Sequence, residues 1–175
     1  EGAENAVFTL KQVKKGGSTG PAAGTIIWKE TWGSKTGAIS SYDFSGTSTY
    51  GNSTTGLSYS VDNNNDKLDS ATAGSITSNN CFFYKSAESS LTMSGIKLEG
   101  AKKLTLTFTT NGTNFAVYYK VDSGNETCLC KSCSKGTENS YTFEVSGDVI
   151  TLRFNKTGTS ANNRLDDIVL KVAEN

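Results

Sequence analysis

The chain is 175 residues long, room for one domain with a sizeable core, and its 17 basic residues balance 17 acidic ones. With no net field to draw a polyanion, nucleic acid is not an expected partner. Histidine is absent, which removes the usual general base, the usual zinc ligand and the Ser-His-Asp and Cys-His constellations together, so a non-catalytic protein is expected.

Ser, Thr, Asn and Gly crowd the sequence and long Glu/Lys/Ala/Leu-rich stretches are missing, which favours strands and turns over helices. In chain order, residues 6–13 (AVFTLKQV) alternate Phe8 and Leu10 with polar neighbours as a first strand. Residues 14–24 hold the single proline among glycines and read as a linker, which places the body of the fold at 25–175. TIIWKETW (25–32) reads as a strand, and the region from Gly33 to about Asn80 offers only short candidates such as GLSYSV and is expected to be loop-rich. CFFYK and SSLTMSGIKL follow, then KKLTLTFTT with Leu104, Leu106 and Phe108 on one face, and NFAVYYKV with Phe115, Val117, Tyr119 and Val121 on one face. YTFEV and DVITLRF flank a turn at 146–148, and RLDDIVLKV closes the set. About ten short strands with turn residues between them predict an all-β fold, a two-sheet β-sandwich or jelly roll. No run is apolar enough to span a bilayer, and Glu1 opens the chain without a basic, apolar leader. The expectation is an exported, monomeric protein whose signal has been removed.

The closing strand carries a puzzle. Ile168, Leu170 and Val172 alternate with Asp167, Val169 and Lys171, a period of two that buries one face and puts Asp166 on the buried side. A carboxylate there is costly unless a cation or several hydrogen bonds compensate it. Arg164, Lys171 and Arg153 are candidates for an ion pair, a metal ion would serve equally, and hydration is the third option.

Sulfur is unevenly placed: Cys81 precedes FFYK, while Cys128, Cys130 and Cys133 are bunched as CLCKSC in what reads as a long loop between YYKV and YTFEV. Disulfides, free thiols and a four-thiolate metal site all remain open, and the pairing of the cysteines is undetermined at this level.

TIIWKETWGS near the start, AESSLTMSGIKLEGAKKLTLTF in the middle and LRFNKTGTSANNRLDDIVLKV at the end resemble the secreted jelly-roll modules of the cleaved-adhesin or choice-of-anchor type, relatives of galactose-binding-like and carbohydrate-binding domains. The resemblance spans most of residues 25–173 and implies a secreted or cell-surface module with a glycan or other cell-surface ligand. It further implies that Glu30 of WKETWG and Asp166 of RLDDI are neighbours in one sheet and share a structural calcium ion, with Asp167 recruited if the strand entry bends. Leu165 departs from the aromatic residue that often precedes the acidic pair in those modules. Sugar binding needs aromatic faces for stacking, and the candidates are Trp32, Tyr42, Tyr50 and Tyr59 on loops and Phe83 and Tyr84 on a short strand, whereas Trp28 is expected in the core. The competing function class is an adhesion or spacer domain that contacts proteins rather than glycans.

Overall fold

The computed structural model describes residues 20–32, 37–38, 57–62, 66–69, 81–84, 88–158 and 163–174. The strand expected at 6–13 lies outside them. Every regular element among the described residues is a strand: β1 (Ile26–Glu30), β2 (Gly37–Ala38), β3 (Ser58–Val61), β4 (Lys67–Asp69), β5 (Cys81–Tyr84), β6 (Ser89–Lys97), β7 (Lys103–Thr110), β8 (Phe115–Val121), β9 (Thr127–Cys130), β10 (Glu138–Glu144), β11 (Val149–Lys156) and β12 (Asn163–Val172).

Two antiparallel sheets form the sandwich. The larger runs β10-β7-β12-β5-β4-β2, with β1 also paired to β12, and the smaller runs β3-β6-β11-β8-β9. β12 is therefore flanked by β7 along one edge, and by β5 at its start and β1 at its end along the other.

Alternation in the sequence becomes the two faces of each sheet. On β11, Ile150, Leu152 and Phe154 are buried while Thr151, Arg153 and Asn155 lie on the outer side; on β7, Leu104, Leu106 and Phe108 point inward. The sheets meet where the ring of Phe154 packs edge-on against Phe108, centroids 5.1 Å apart, and Tyr84 reaches from β5 to donate a hydrogen bond to the Phe154 carbonyl at 2.9 Å.

Two sequence readings change. The expected loop holding CLCKSC contains β9, which pairs with β8 at the edge of the smaller sheet; its residues lack an apolar alternation because an edge strand gains its order from one neighbour only. Among the described residues, the region 33–80 holds the short strands β2, β3 and β4, which extend both sheets, and β3 falls on the expected GLSYSV. Pairing also runs back past residue 25: the Gly24 amide donates to the Val172 carbonyl at 2.9 Å, and the Val172 amide donates to Thr25 at 2.8 Å.

Phe154 is fully buried at the junction of the sheets, so Phe154→Ala leaves a cavity there. The substitution should lower unfolding stability by about 3–5 kcal/mol, measured by urea titration, with little loss if the ring contributed nothing to the inter-sheet contact.

Candidate functional site

The first and last strands of the described body are neighbours. β1 pairs with β12 so that Glu30 stands opposite Ile168, two residues from Asp166. Along its other edge β12 slips against β7: Asp166 is opposite Thr109 and Val169 opposite Thr107, so β12 carries one extra residue there. That is a β-bulge, and it falls on the acidic pair. Asp167 takes it up with φ of 49°, a left-handed conformation that Asp tolerates better than most residues. The bulge changes the phase of the strand. Leu165 and Asp166 are consecutive and both fully buried, while Asp167 is turned out and exposed.

Both Glu30 and Asp166 have no exposed surface. Glu30 is held by two donors: the Trp32 amide reaches one carboxylate oxygen at 2.7 Å, and the Tyr59 hydroxyl, from β3 in the opposite sheet, reaches the other at 2.5 Å. Trp32 makes its contact by folding back after β1 with φ of 61°, a conformation that costs a bulky residue on the order of 1–3 kcal/mol. Its indole N–H then donates to the Leu165 carbonyl at 3.1 Å, next to Asp166. Asp166 accepts one hydrogen bond, from the Asp167 amide to Oδ1 at 2.7 Å, and its Oδ2 is buried with no hydrogen-bond partner.

This arrangement resolves the opening puzzle in part and corrects other expectations. Arg153 is not the partner of the acidic pair; it is bound to Glu126 at 2.6 Å. Trp32 and Tyr84, expected as sugar platforms, are fully buried and offer no open ring face. Their rings fill the sandwich because each has one polar atom that finds a carbonyl inside it. Tyr59 is half-buried, edge-on to Trp28 and Trp32 at 6.3 and 6.2 Å, with its hydroxyl committed to Glu30. Trp28 is core, as its register predicts. Tyr42 and Tyr50 lie outside the described residues, as does the side chain of Phe83.

A second constellation was missed by sequence reasoning. One row crosses the outer face of the smaller sheet: Cys128 on β9, Tyr118 on β8, Arg153 on β11, Thr92 on β6 and Ser60 on β3 stand directly opposite one another in turn. Arg153 lies over the Tyr118 ring, 4.2 Å from its centroid, and its guanidinium is clamped by Glu126 at 2.8 and 2.6 Å. A third nitrogen of Arg153 reaches the Ser90 hydroxyl at 3.3 Å, which donates to Asn155 at 2.9 Å. The fork-on-fork contact holds the Glu126 carboxyl below its usual range. The available signal was alternation, since Tyr118 sits between Val117 and Tyr119 on a strand whose other face is core.

The outer face of the larger sheet differs. A groove of about 500 Å³ there is lined by Lys103, Thr105, Ser140, Thr142, Lys171 and Glu174, which supply hydroxyls, ammonium groups and a carboxylate without an aromatic ring.

No protein-family model matches the chain, and no curated protein matches it. Solved structures do. The chain is similar to the CBM22-1 xylan-binding domain of Paenibacillus barcinonensis Xyn10C, at 11% identity over 89% of this chain and 99% of that one, with a TM-score of 0.50. TmCBM61, solved with β-1,4-galactotriose, matches at 16% identity over 65% of this chain and 86% of that one, TM-score 0.47. The family 32 CBM of Clostridium perfringens NanJ, solved with galactose, matches at 14% identity over 78% and 99% of the two chains, TM-score 0.38. Against enzymes the chain spans only a small part, 19% of bacteriophage CBA120 tailspike protein 4 and 26% of the Clostridium thermocellum xylanase 10B modules. What is shared is the fold: an all-β sandwich of two antiparallel sheets.

Burial pushes the Asp166 carboxyl up to about 7; the Asp167 amide opposes the rise, and the charges of Asp167 and Glu30 add to it. The unfolded carboxyl ionises near 3.8, so between the two values the folded state keeps a proton that the unfolded state has lost. Metal-free stability should therefore fall as pH rises through that window and level off above it. In a chelating buffer, the thermal midpoint of the native chain should drop relative to that of Asp166→Asn between about pH 4 and pH 7. Parallel pH profiles for the two proteins would contradict the assignment.

Proposed function

We propose that this chain is a non-catalytic, extracellular carbohydrate-binding module of the cleaved-adhesin type, which binds neutral glycan on the outer face of its smaller sheet and is stabilised by a calcium ion between Glu30 and Asp166. The observation that carries the glycan reading is the Tyr118-Arg153 stack. Clamped by Glu126, the Arg153 guanidinium lying over Tyr118 offers a rigid plane for the apolar face of a pyranose ring, edged by the carboxylate of Glu126 and the amide of Asn155. The charges of Arg153 and Glu126 cancel, which favours a neutral polysaccharide over an acidic one. The fold shared with a domain described as xylan-binding supports the same ligand class.

The catalytic alternative would need two carboxylates accessible to a glycosidic bond. Glu30 and Asp166, the acids brought together by the fold, are sealed from solvent.

The calcium reading rests on the donor set. Asp166 Oδ2 is a buried oxygen lacking a partner, beside a second buried carboxylate whose negative charge disfavours its ionisation. A hard divalent cation would bind both, and backbone carbonyls and water would complete its shell, since among the described residues no third acid joins the pair in one cluster. Asp167 is turned to the outer face.

Retardation in native gels containing β-linked galactan or xylan, followed by calorimetric titration, tests the glycan site. Tyr118→Ala and Arg153→Ala should each weaken binding about tenfold or more. Saturable binding to a matrix protein with no retardation by any glycan would instead establish the adhesion or spacer function. For the metal, calcium should raise the thermal midpoint at pH 8, a chelator should reverse it, and Asp166→Ala should abolish the response; a midpoint insensitive to calcium in the native chain would refute the ion.

A further inference from the structure

Cys128, Cys130 and Cys133 lie outside the buried carboxylate pair, and the fold separates Cys128 from the other two. β9 is an edge strand, and its pairing with β8 slips between Cys130, opposite Val117, and Cys128, opposite Tyr118. Alternate residues of a regular strand share a face, and a bulge breaks that rule. Cys128 consequently joins the outer face, exposed, with its thiol turned to the Cys130 carbonyl at 3.3 Å. Cys130 is half-buried and belongs with the inner, Val117 side.

There it meets Cys133. The two sulfurs are 3.0 Å apart, and Cys133 is fixed by its own amide, which donates to Thr113 at 3.3 Å, and by its thiol, which lies 3.4 Å from the Phe115 carbonyl. Two thiolates on one tetrahedral zinc, each at about 2.3 Å, stand about 3.8 Å apart. The observed separation is too short for that, and among the described residues no third cysteine, acid or histidine joins the pair in a cluster. Cys81 is also out of range. It stands on β5, which β12 and β7 separate from β10, and Cys130 lies against β10 through its contact with Tyr141. Three strand spacings of about 4.8 Å exceed the ~7 Å between Cα atoms that a disulfide can bridge.

The geometry points to a dithiol-disulfide site in which Cys130 attacks a small-molecule disulfide and Cys133 resolves it, closing a bond that clips the edge strand β9 to the segment packed beneath β8. The Cys133 thiol, with Tyr141 and the Val117 backbone adding to it, pushes Cys130 down to about 6, so Cys130 is the thiolate at neutral pH; the same contact and burial push Cys133 up. Cys130 adds to one sulfur of RSSR, forming a mixed disulfide and expelling RS⁻, which takes a proton from solvent. Cys133 gives its proton to solvent, its sulfur attacks Cys130 Sγ, and the second RS⁻ leaves and is protonated. Two protein thiols are oxidised and one external disulfide is reduced to two thiols.

The test equilibrates the full chain with oxidised and reduced glutathione, traps free thiols with iodoacetamide, digests with trypsin and reads the peptides by mass spectrometry. Cleavage after Lys131 puts Cys128 and Cys130 on residues 121–131 and Cys133 on residues 132–135. The oxidised chain should yield these two peptides joined, with the alkyl group on Cys128. The linkage should persist in Cys128→Ser and disappear in Cys130→Ser. Full alkylation of all three thiols after oxidised glutathione, a bond that engages Cys128 in the native chain, or zinc bound one-to-one to the purified protein would each overturn the proposal. The native-chain readout needs no variant to fold.

Discussion

The antiparallel pairing of β1 with β12 determines where the acids of this sandwich sit and what they require. It brings Glu30 within two residues of Asp166 along the facing strand, in a place where neither has access to water. Removing a carboxylate from water is costly, and the chain offsets this with hydrogen bonds from Trp32, Tyr59 and Asp167, each a charge-assisted contact worth about 1.5–3 kcal/mol. One oxygen, Asp166 Oδ2, remains without such a bond. Folding is thereby coupled to protonation at that oxygen, and the proposed calcium ion would answer the same unbalanced charge.

The same pairing explains the fates of the tryptophans. Glu30 ends β1 pointing inward, and the chain can supply a donor to it only by turning sharply at Trp32, whose left-handed backbone delivers the amide to the carboxylate and the indole to β12. A residue under that double obligation cannot also present a ring to a ligand. Tyr59 is constrained likewise, since its hydroxyl ties the smaller sheet to the acid of the larger one. Tyr118 is half-exposed on the outer face of the smaller sheet, and the ion pair of Arg153 with Glu126 immobilises what covers it.

Bulges set the chemistry at both the acidic pair and the thiol pair. In β12 an extra residue makes Leu165 and Asp166 face inward together; in β9 a slip sends Cys128 and Cys130 to opposite sides. Each converts a sequence spacing into a different spatial relation from the one a regular strand gives, because side chains alternate only while the ladder is unbroken. The lone carboxylate oxygen and the close thiol pair both follow from such breaks.

Much of the fold was legible in the residues themselves. Alternation in KLTLTF and VITLRF made those strands and their buried faces evident, the absence of helix-forming stretches established the all-β class, and RLDDIVLKV already placed an acid on an apolar face. These are local properties, determined by the two-residue period of a strand. The meeting of Tyr118, Arg153 and Glu126, the burial of Trp32 and Tyr84, and the approach of Cys130 to Cys133 depend on which strands meet across the sandwich and where their ladders slip. Contacts of that kind join residues as far apart as Glu30 and Tyr59, or Tyr118, Arg153 and Glu126, and only the tertiary arrangement decides them.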